Sequence, residues 1–158
     1  MLSFGITRGS IIHSSPDRIV TAALEQLRPG NALDLAAGAG RHARWLADRG
    51  WRVTAVDQIP ESIEGVNYIQ ADLEKHEYRI PPDSWDLIVC WLYWQPDLLR
   101  EIAAGLREGG VVAIAGKVEG RFATSLDNFR NAFKGWEEIS SGQNEVRAFF
   151  IGRKKLIH

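Results

Sequence analysis

Ala32-Leu33-Asp34-Leu35-Ala36-Ala37-Gly38-Ala39-Gly40 is the stretch on which the fold turns. A short apolar run passes without a break into small residues, the pattern of a buried strand feeding a tight turn. Ala43, Leu46 and Ala47 then mark one face of a helix that Gly50 stops, and Trp51–Asp57, rich in β-branched residues, reads as a second strand. Strand, glycine turn, helix, strand is the signature of a parallel βαβ unit. Gly38 and Gly40 let the backbone approach a ligand closely, and the helix behind them offers unpaired N–H groups and a positive dipole end.

Outward from this unit the pattern first compresses. Residues 58–71 must hold a third strand, Asn67–Gln70, and Pro60 and Gly65 bracket too few residues for a stable crossover helix. The helix between strands two and three is therefore expected to be reduced or missing. A fourth strand spans Asp86–Trp91, a helix Pro96–Leu106, and Gly109-Gly110 turns the chain into strand five, Val111–Ala115. Leu126, Phe129, Arg130 and Phe133 suggest a last helix closed by Gly135. Glu137–Ser140 and Val146–Gly152 follow as strands, and Ser141-Gly142-Gln143-Asn144 between them is short enough only for an antiparallel hairpin. Ahead of the first strand, Ser15 reads as the cap of a helix with Pro16 at its first position, carrying Ile19, Val20, Ala23, Leu24 and Leu27 to the Pro29-Gly30 stop. The expected fold class is α/β, a mostly parallel seven-stranded sheet with a C-terminal antiparallel hairpin. One domain is expected over residues 1–158, with 1–15 as an N-terminal arm.

Composition narrows the partners. Nineteen Lys and Arg against twenty Asp and Glu leave a formal net charge of −1 over 158 residues, which argues against a domain held by phosphate neutralisation. Nucleic acid is thus an unexpected partner, and the tail Arg153-Lys154-Lys155 reads as a solvated end. Cys90 is the single cysteine, so neither an intramolecular disulfide nor a cysteine-rich zinc site can form, and no metal is expected. Without a charged n-region or a long apolar run, the chain reads as cytoplasmic, with no membrane partner.

Three acids sharpen the glycine turn. Asp34 lies in the body of an apolar strand, a costly place for a carboxylate that has no partner. Asp57 ends the second strand, where a carboxylate can accept both hydroxyls of a ribose, and Asp72 follows the third. Two cofactor classes fit. Gly38-x-Gly40-x-x-Ala43 satisfies a dinucleotide fingerprint, which would suit an NAD(P)-dependent oxidoreductase. Against it, Asp34 would face a pyrophosphate, and the terminal hairpin is foreign to a sheet of mononucleotide-binding repeats. Asp34 suits a cationic ligand instead, and S-adenosyl-L-methionine carries an ammonium and a sulfonium.

Taken together, Leu33–Ala43 resembles motif I of the class I S-adenosylmethionine-dependent methyltransferases, written D-x-G-x-G-x-G. Val53–Asp57 resembles motif II, Ala71-Asp72-Leu73 the adenine-contacting motif, Trp85–Val89 motif IV, and Leu106-Arg107-Glu108-Gly109-Gly110 the turn into strand five. The continuation Gly40-Arg41-His42-Ala43 is similar to that of the small tellurite-resistance and thiol-methylating group. The resemblance covers residues 16–153 in order and implies a Rossmann-like three-layer sandwich. It implies that Asp34, Ala36, Gly38 and Gly40 hold the methionine end of the cofactor, and that Asp57, with Gln58 beside it, holds the ribose. Asp72 and Leu73 would meet the adenine, and Cys90, Trp91 and Tyr93 would flank the transferable methyl group. Ala36 stands where the motif has its first glycine, and Glu108 where proline is usual. The missing crossover helix leaves the adenine side more open, or completed by a homodimer or another partner chain.

The implied activity is transfer of a methyl group to a small-molecule acceptor. Alignment and exclusion of water carry such a displacement, so a base is needed only if the nucleophile arrives protonated. His13, His42 and Tyr93 are the candidates; either histidine alternatively reads as a surface residue. Trp91, Tyr93 and Trp94 cluster beyond strand four, where aromatics press on a sulfonium, shape an acceptor slot or cap the core. Lys117, past strand five, suits an anionic substrate or simply solvent. The competing reading is a non-catalytic S-adenosylmethionine-binding module or pseudo-enzyme subunit.

Overall fold

The computed structural model describes residues 15–156. Seven strands form one sheet: β1 (Asn31–Leu35), β2 (Arg52–Asp57), β3 (Val66–Gln70), β4 (Trp85–Trp91), β5 (Leu106–Lys117), β6 (Glu137–Gln143) and β7 (Arg147–Arg153). Their order is β3-β2-β1-β4-β5-β7-β6, with the first five parallel and β7 antiparallel to both β5 and β6. The chain reverses its direction of travel across the sheet between β1 and β4. Such a switch point opens a crevice at the carboxyl ends of the strands.

Among the described residues four helices cover the faces: α1 (Arg18–Leu24), α2 (Arg41–Asp48), α3 (Leu98–Gly105) and α4 (Leu126–Ala132). Because side chains alternate along a strand, β1 and β4 feed two cores. Leu33, Leu35, Ile88 and Cys90 pack with Leu98 and Ile102 of α3 and Phe129 of α4. Ala32, Leu87, Val89 and Trp91 pack with Val20 and Leu24 of α1 and Ala43 and Leu46 of α2. Both faces of the central strands are buried, which is why, Asp34 apart, they read as nearly continuous apolar runs. The sandwich has the expected three layers. Among the described residues no helix is long and apolar enough to cross a membrane.

The expected gap in the β2–β3 connection is present: no helix lies between Asp57 and Val66. Ile63 does the covering instead. It is buried, and its Cδ1 occupies the space that a Cβ on Gly40 would need, so one side chain seals the first turn of α2 where a crossover helix would lie.

Several boundaries differ from the sequence reading. Asp17, not Ser15, caps α1: its carboxylate accepts the Ile19 N–H at 2.9 Å, and the helix begins at Arg18. That helix also ends early, at Leu24 rather than at Pro29-Gly30. Leu106 is extended (φ −79°, ψ 138°) and pairs with Trp85, so it opens β5 instead of closing α3. Gly109 (φ +80°) and Gly110 then lie within an irregularity of β5, between its pairings with Trp85 and Leu87, rather than before it. In the hairpin β6 runs on to Gln143, and the Asn144 Oδ1 accepts the N–H groups of Val146 and Arg147 at 2.8 and 2.9 Å. That side chain closes a turn over residues 144–146, tighter and further along the chain than expected.

Candidate cofactor site

The glycine turn leaves β1 with three residues in the left-handed region: Ala36 (φ +55°), Gly38 (φ +58°) and Gly40 (φ +86°). At Ala36 the chain bears a Cβ where the geometry favours glycine, so the departure from the motif is a change of side chain and not of backbone path. The turn is fastened to β2 twice. The Ala37 N–H donates to the Val56 carbonyl at 3.1 Å, and the Gly38 N–H donates to the Asp57 Oδ2 at 2.9 Å. The other Asp57 oxygen accepts the Ile59 N–H at 3.1 Å. One carboxylate thus clamps both loops of the crevice while keeping lone pairs free for a ligand hydroxyl. A Cβ on Gly38 would meet nothing within 4 Å, so this position faces open space.

Ala36, Asp57, Gln58, Asp72, Leu73 and Tyr93 line a cavity of about 140 Å³ with Ala71 and Glu74. The sheet brings together the ends of β1, β2, β3 and β4, so residues far apart in sequence share one wall. Asp72 is held by its own turn: its Oδ1 accepts the Glu74 N–H at 2.9 Å, and its N–H donates to Glu77. Gln95 braces the floor, donating to the Leu73 carbonyl at 3.1 Å and accepting the Tyr93 hydroxyl at 2.6 Å.

Asp34 lies beneath the turn, 2% exposed, in the middle of a strand flanked on both sides. Its Oδ2 has no hydrogen-bond partner. Burial pushes its carboxyl up to about 7 against the pull of the Ala43 N–H and the Arg41 charge, and the Asp57 charge adds to the rise. A buried acid with an unsatisfied oxygen at a glycine turn fits a ligand that supplies a cation.

The structure separates the other expected residues. Cys90 is buried on the α3 face; burial holds its thiol proton up to about 12, and its Sγ donates to the Tyr93 carbonyl at 3.6 Å. Trp91 is not brought to the cavity. It points to the α1 face, where its Nε1 donates to the Asp17 Oδ2 at 3.2 Å. Tyr93 does line the cavity, but burial pushes its hydroxyl up to about 12, which leaves it no role as a base near neutrality. His42 is neither a surface residue nor an accessible base: it is 4% exposed, its Nε2 accepts the Asp17 N–H at 3.1 Å, and burial depresses its pKa to about 4. His13 lies outside the described residues. Trp94 packs edge-on against Phe129, which fits the core-capping reading, and Lys117 is exposed. The sequence reading passed over Ile63, Glu74, Gln95 and the capping role of Asp17. A capping acid next to a proline was the available signal for Asp17; the other three depend on tertiary placement.

Residues 32–110, half of the chain, match the family described as Methyltransferase domain. The chain belongs to the S-adenosylmethionine-dependent methyltransferase family. It is 30% identical over 142 residues to the malonyl-[acyl-carrier protein] O-methyltransferase of Salmonella typhimurium, covering 84% of this chain and 53% of that one. The chain spans about half the length of the curated relatives it matches. Among solved structures, TehB from Haemophilus influenzae superposes with a TM-score of 0.74 at 17% identity, over 89% of this chain and 63% of the other. The Burkholderia thailandensis 1,6-didemethyltoxoflavin-N1-methyltransferase, solved with S-adenosylhomocysteine, gives 0.64 at 21% identity, over 87% and 76%. The orphaned Asp34 oxygen, the open face of Gly38 and the Asp57 clamp agree with the chemistry of this family's cofactor.

Proposed function

We propose that this chain binds S-adenosyl-L-methionine at the β1–β4 switch point and transfers its methyl group to a small-molecule acceptor. In this reading Asp34 balances the ammonium, and Ala36, Gly38 and Gly40 receive the methionine end. Asp57 with Gln58 receives the ribose, and Asp72 with Leu73 the adenine. Bound there, the cofactor supplies an electrophilic methyl on a sulfonium leaving group. The protein contributes alignment and exclusion of water, effects worth up to roughly 7–11 kcal/mol of barrier. The observation that carries the reading is the buried, unpartnered Asp34 oxygen beneath the glycine turn. A pyrophosphate would meet repulsion there.

The acceptors named for the relatives, a malonyl group on a carrier protein and a didemethyltoxoflavin, support a small or carrier-linked acceptor. Incubation with methyl-labelled S-adenosylmethionine and a panel of thiols, amines, phenols and oxyanions is expected to label at least one class. Cofactor binding without labelling of any class would instead support a non-catalytic binding module, a reading favoured by the absent crossover helix.

A further inference from the structure

A second cavity, about 340 Å³, opens beside the first and shares Glu74 and Tyr93 with it. Its outer wall carries Leu92, Trp94, Lys117, Arg121 and Phe122. Leu92 follows the last residue of β4 with φ +63°, and its N–H is tied to the Ala115 carbonyl at 2.9 Å. A leucine held in that conformation, with 40% of its surface exposed at the mouth of a cavity, is strain kept where a ligand would meet it. Phe122, 60% exposed, has the Arg121 guanidinium 5.3 Å from its ring centre.

Charge is divided along the two cavities. Asp57, Asp72 and Glu74 lie at the first, where a cationic cofactor belongs, and Glu74 is on the dividing wall. Lys117 and Arg121 lie at the second, with Glu74 on the dividing wall and Glu119 beside them, two charges of each sign. Both cations are exposed, and neither takes part in an ion pair among the described residues. No described histidine lines either cavity, and the Tyr93 hydroxyl and Cys90 thiol keep their protons near neutrality. An acceptor that arrives already deprotonated suits such walls.

We propose that the second cavity is the methyl-acceptor pocket and that it takes a small organic carboxylate with an apolar or aromatic body. The inference rests on the methyltransferase reading above. Leu92, Trp94 and Phe122 would bury the body while Lys117 and Arg121 hold and orient the anion. An acceptor oxygen forms its bond to the methyl carbon as the carbon–sulfur bond breaks. The electron pair stays on sulfur, the product is an ester, and no proton has to be removed.

The test uses the full chain saturated with S-adenosylhomocysteine and a set of small alkyl and aryl carboxylates, each paired with its primary amide. Carboxylates are expected to bind at least tenfold more tightly than their amides and to shift the backbone resonances of Leu92, Gly116 and Gly120. In the double variant Lys117→Gln/Arg121→Gln that preference should vanish, with the affinity for S-adenosylhomocysteine kept within twofold. Equal binding of acids and amides, a preference that survives in the double variant, or no carboxylate bound at all would overturn the proposal. Because the acid–amide comparison is made first on the unaltered chain, it stands even if the double variant folds poorly. Failure of S-adenosylhomocysteine itself to bind would bring down the cofactor reading rather than the choice of acceptor.

Discussion

Asp34 is a buried carboxyl with an unpartnered oxygen, and its discomfort has a sign. Its carboxyl moves from 3.8 in the unfolded chain to about 7 in the fold, with burial as the leading cause. The folded state therefore holds the extra proton between these values. Stability is fully present below about pH 4 and is lost as pH rises through 7, by up to about 4 kcal/mol at about 1.4 kcal/mol per pKa unit. Arg41 faces the group with favourable charge and Asp57 with unfavourable charge, and neither cancels the desolvation. Asp34→Asn should raise the stability of the ligand-free protein at pH 8, leave it nearly unchanged at pH 4, and weaken S-adenosylhomocysteine binding at least tenfold. Urea unfolding at the two pH values and a binding titration check both halves. The position of Asp34 was legible in the sequence because an acid interrupts an apolar strand. Its missing partner was not, since the satisfaction of a buried oxygen depends on every neighbour. At Ala36 the residue order announced the motif, but only the φ of +55° shows that the glycine geometry persists under an alanine.

At the scale of elements, the start of α1 is a clasp. The Asp17 carboxylate accepts from Arg147 of β7 at 2.8 Å, from Trp91 of β4 at 3.2 Å and from the Ile19 N–H at 2.9 Å. Burial opposes its ionisation, yet the bonds from Arg147, Ile19 and Trp91 hold its carboxyl below the usual carboxylate range. His42 completes the clasp by accepting the Asp17 N–H, which requires a neutral ring. Burial, helped by the Arg41 charge, lowers its pKa from 6.5 to about 4, with Asp17 pulling the other way. Its stabilising effect is thus present above pH 6.5 and lost as pH falls to 4, by about 3 kcal/mol. This trend opposes that of Asp34, so the two partly mask each other in the unaltered protein. His42→Gln, whose amide oxygen can still accept the Asp17 N–H, should remove the acid-side loss. Denaturation curves at pH 4.5 and 7 for the variant and the parent would show it; an unchanged pH dependence would contradict the buried, neutral role. Glycine-loop spacing made His42 look like a residue of the site. The bond that buries it instead joins Asp17 to a residue 25 positions away, beyond the reach of local pattern.

For the whole molecule, the order of strands did most to gather the site. Periodicity announced the central strands, because β1, β4 and β5 are buried on both faces and mostly apolar; β3 and β6 are half-exposed, and the turn residues around them marked them instead. It could not foresee that one isoleucine, Ile63, would seal the turn in place of a helix, since a lone apolar residue in a loop carries no period. Nor could it place Trp91: successive residues of a strand point to opposite faces, and the register that sends Cys90 toward α3 sends Trp91 toward α1. What the assembled fold provides is a crevice with Asp34 below it, Asp57 across it and Asp72 at its far end. Such a crevice suits S-adenosylmethionine. Isothermal titration with S-adenosylhomocysteine is the direct test: binding is expected at one site per chain, weakened at least tenfold in Asp57→Ala. Binding of NADH with no heat from S-adenosylhomocysteine, or an Asp57→Ala affinity equal to that of the parent, would contradict it.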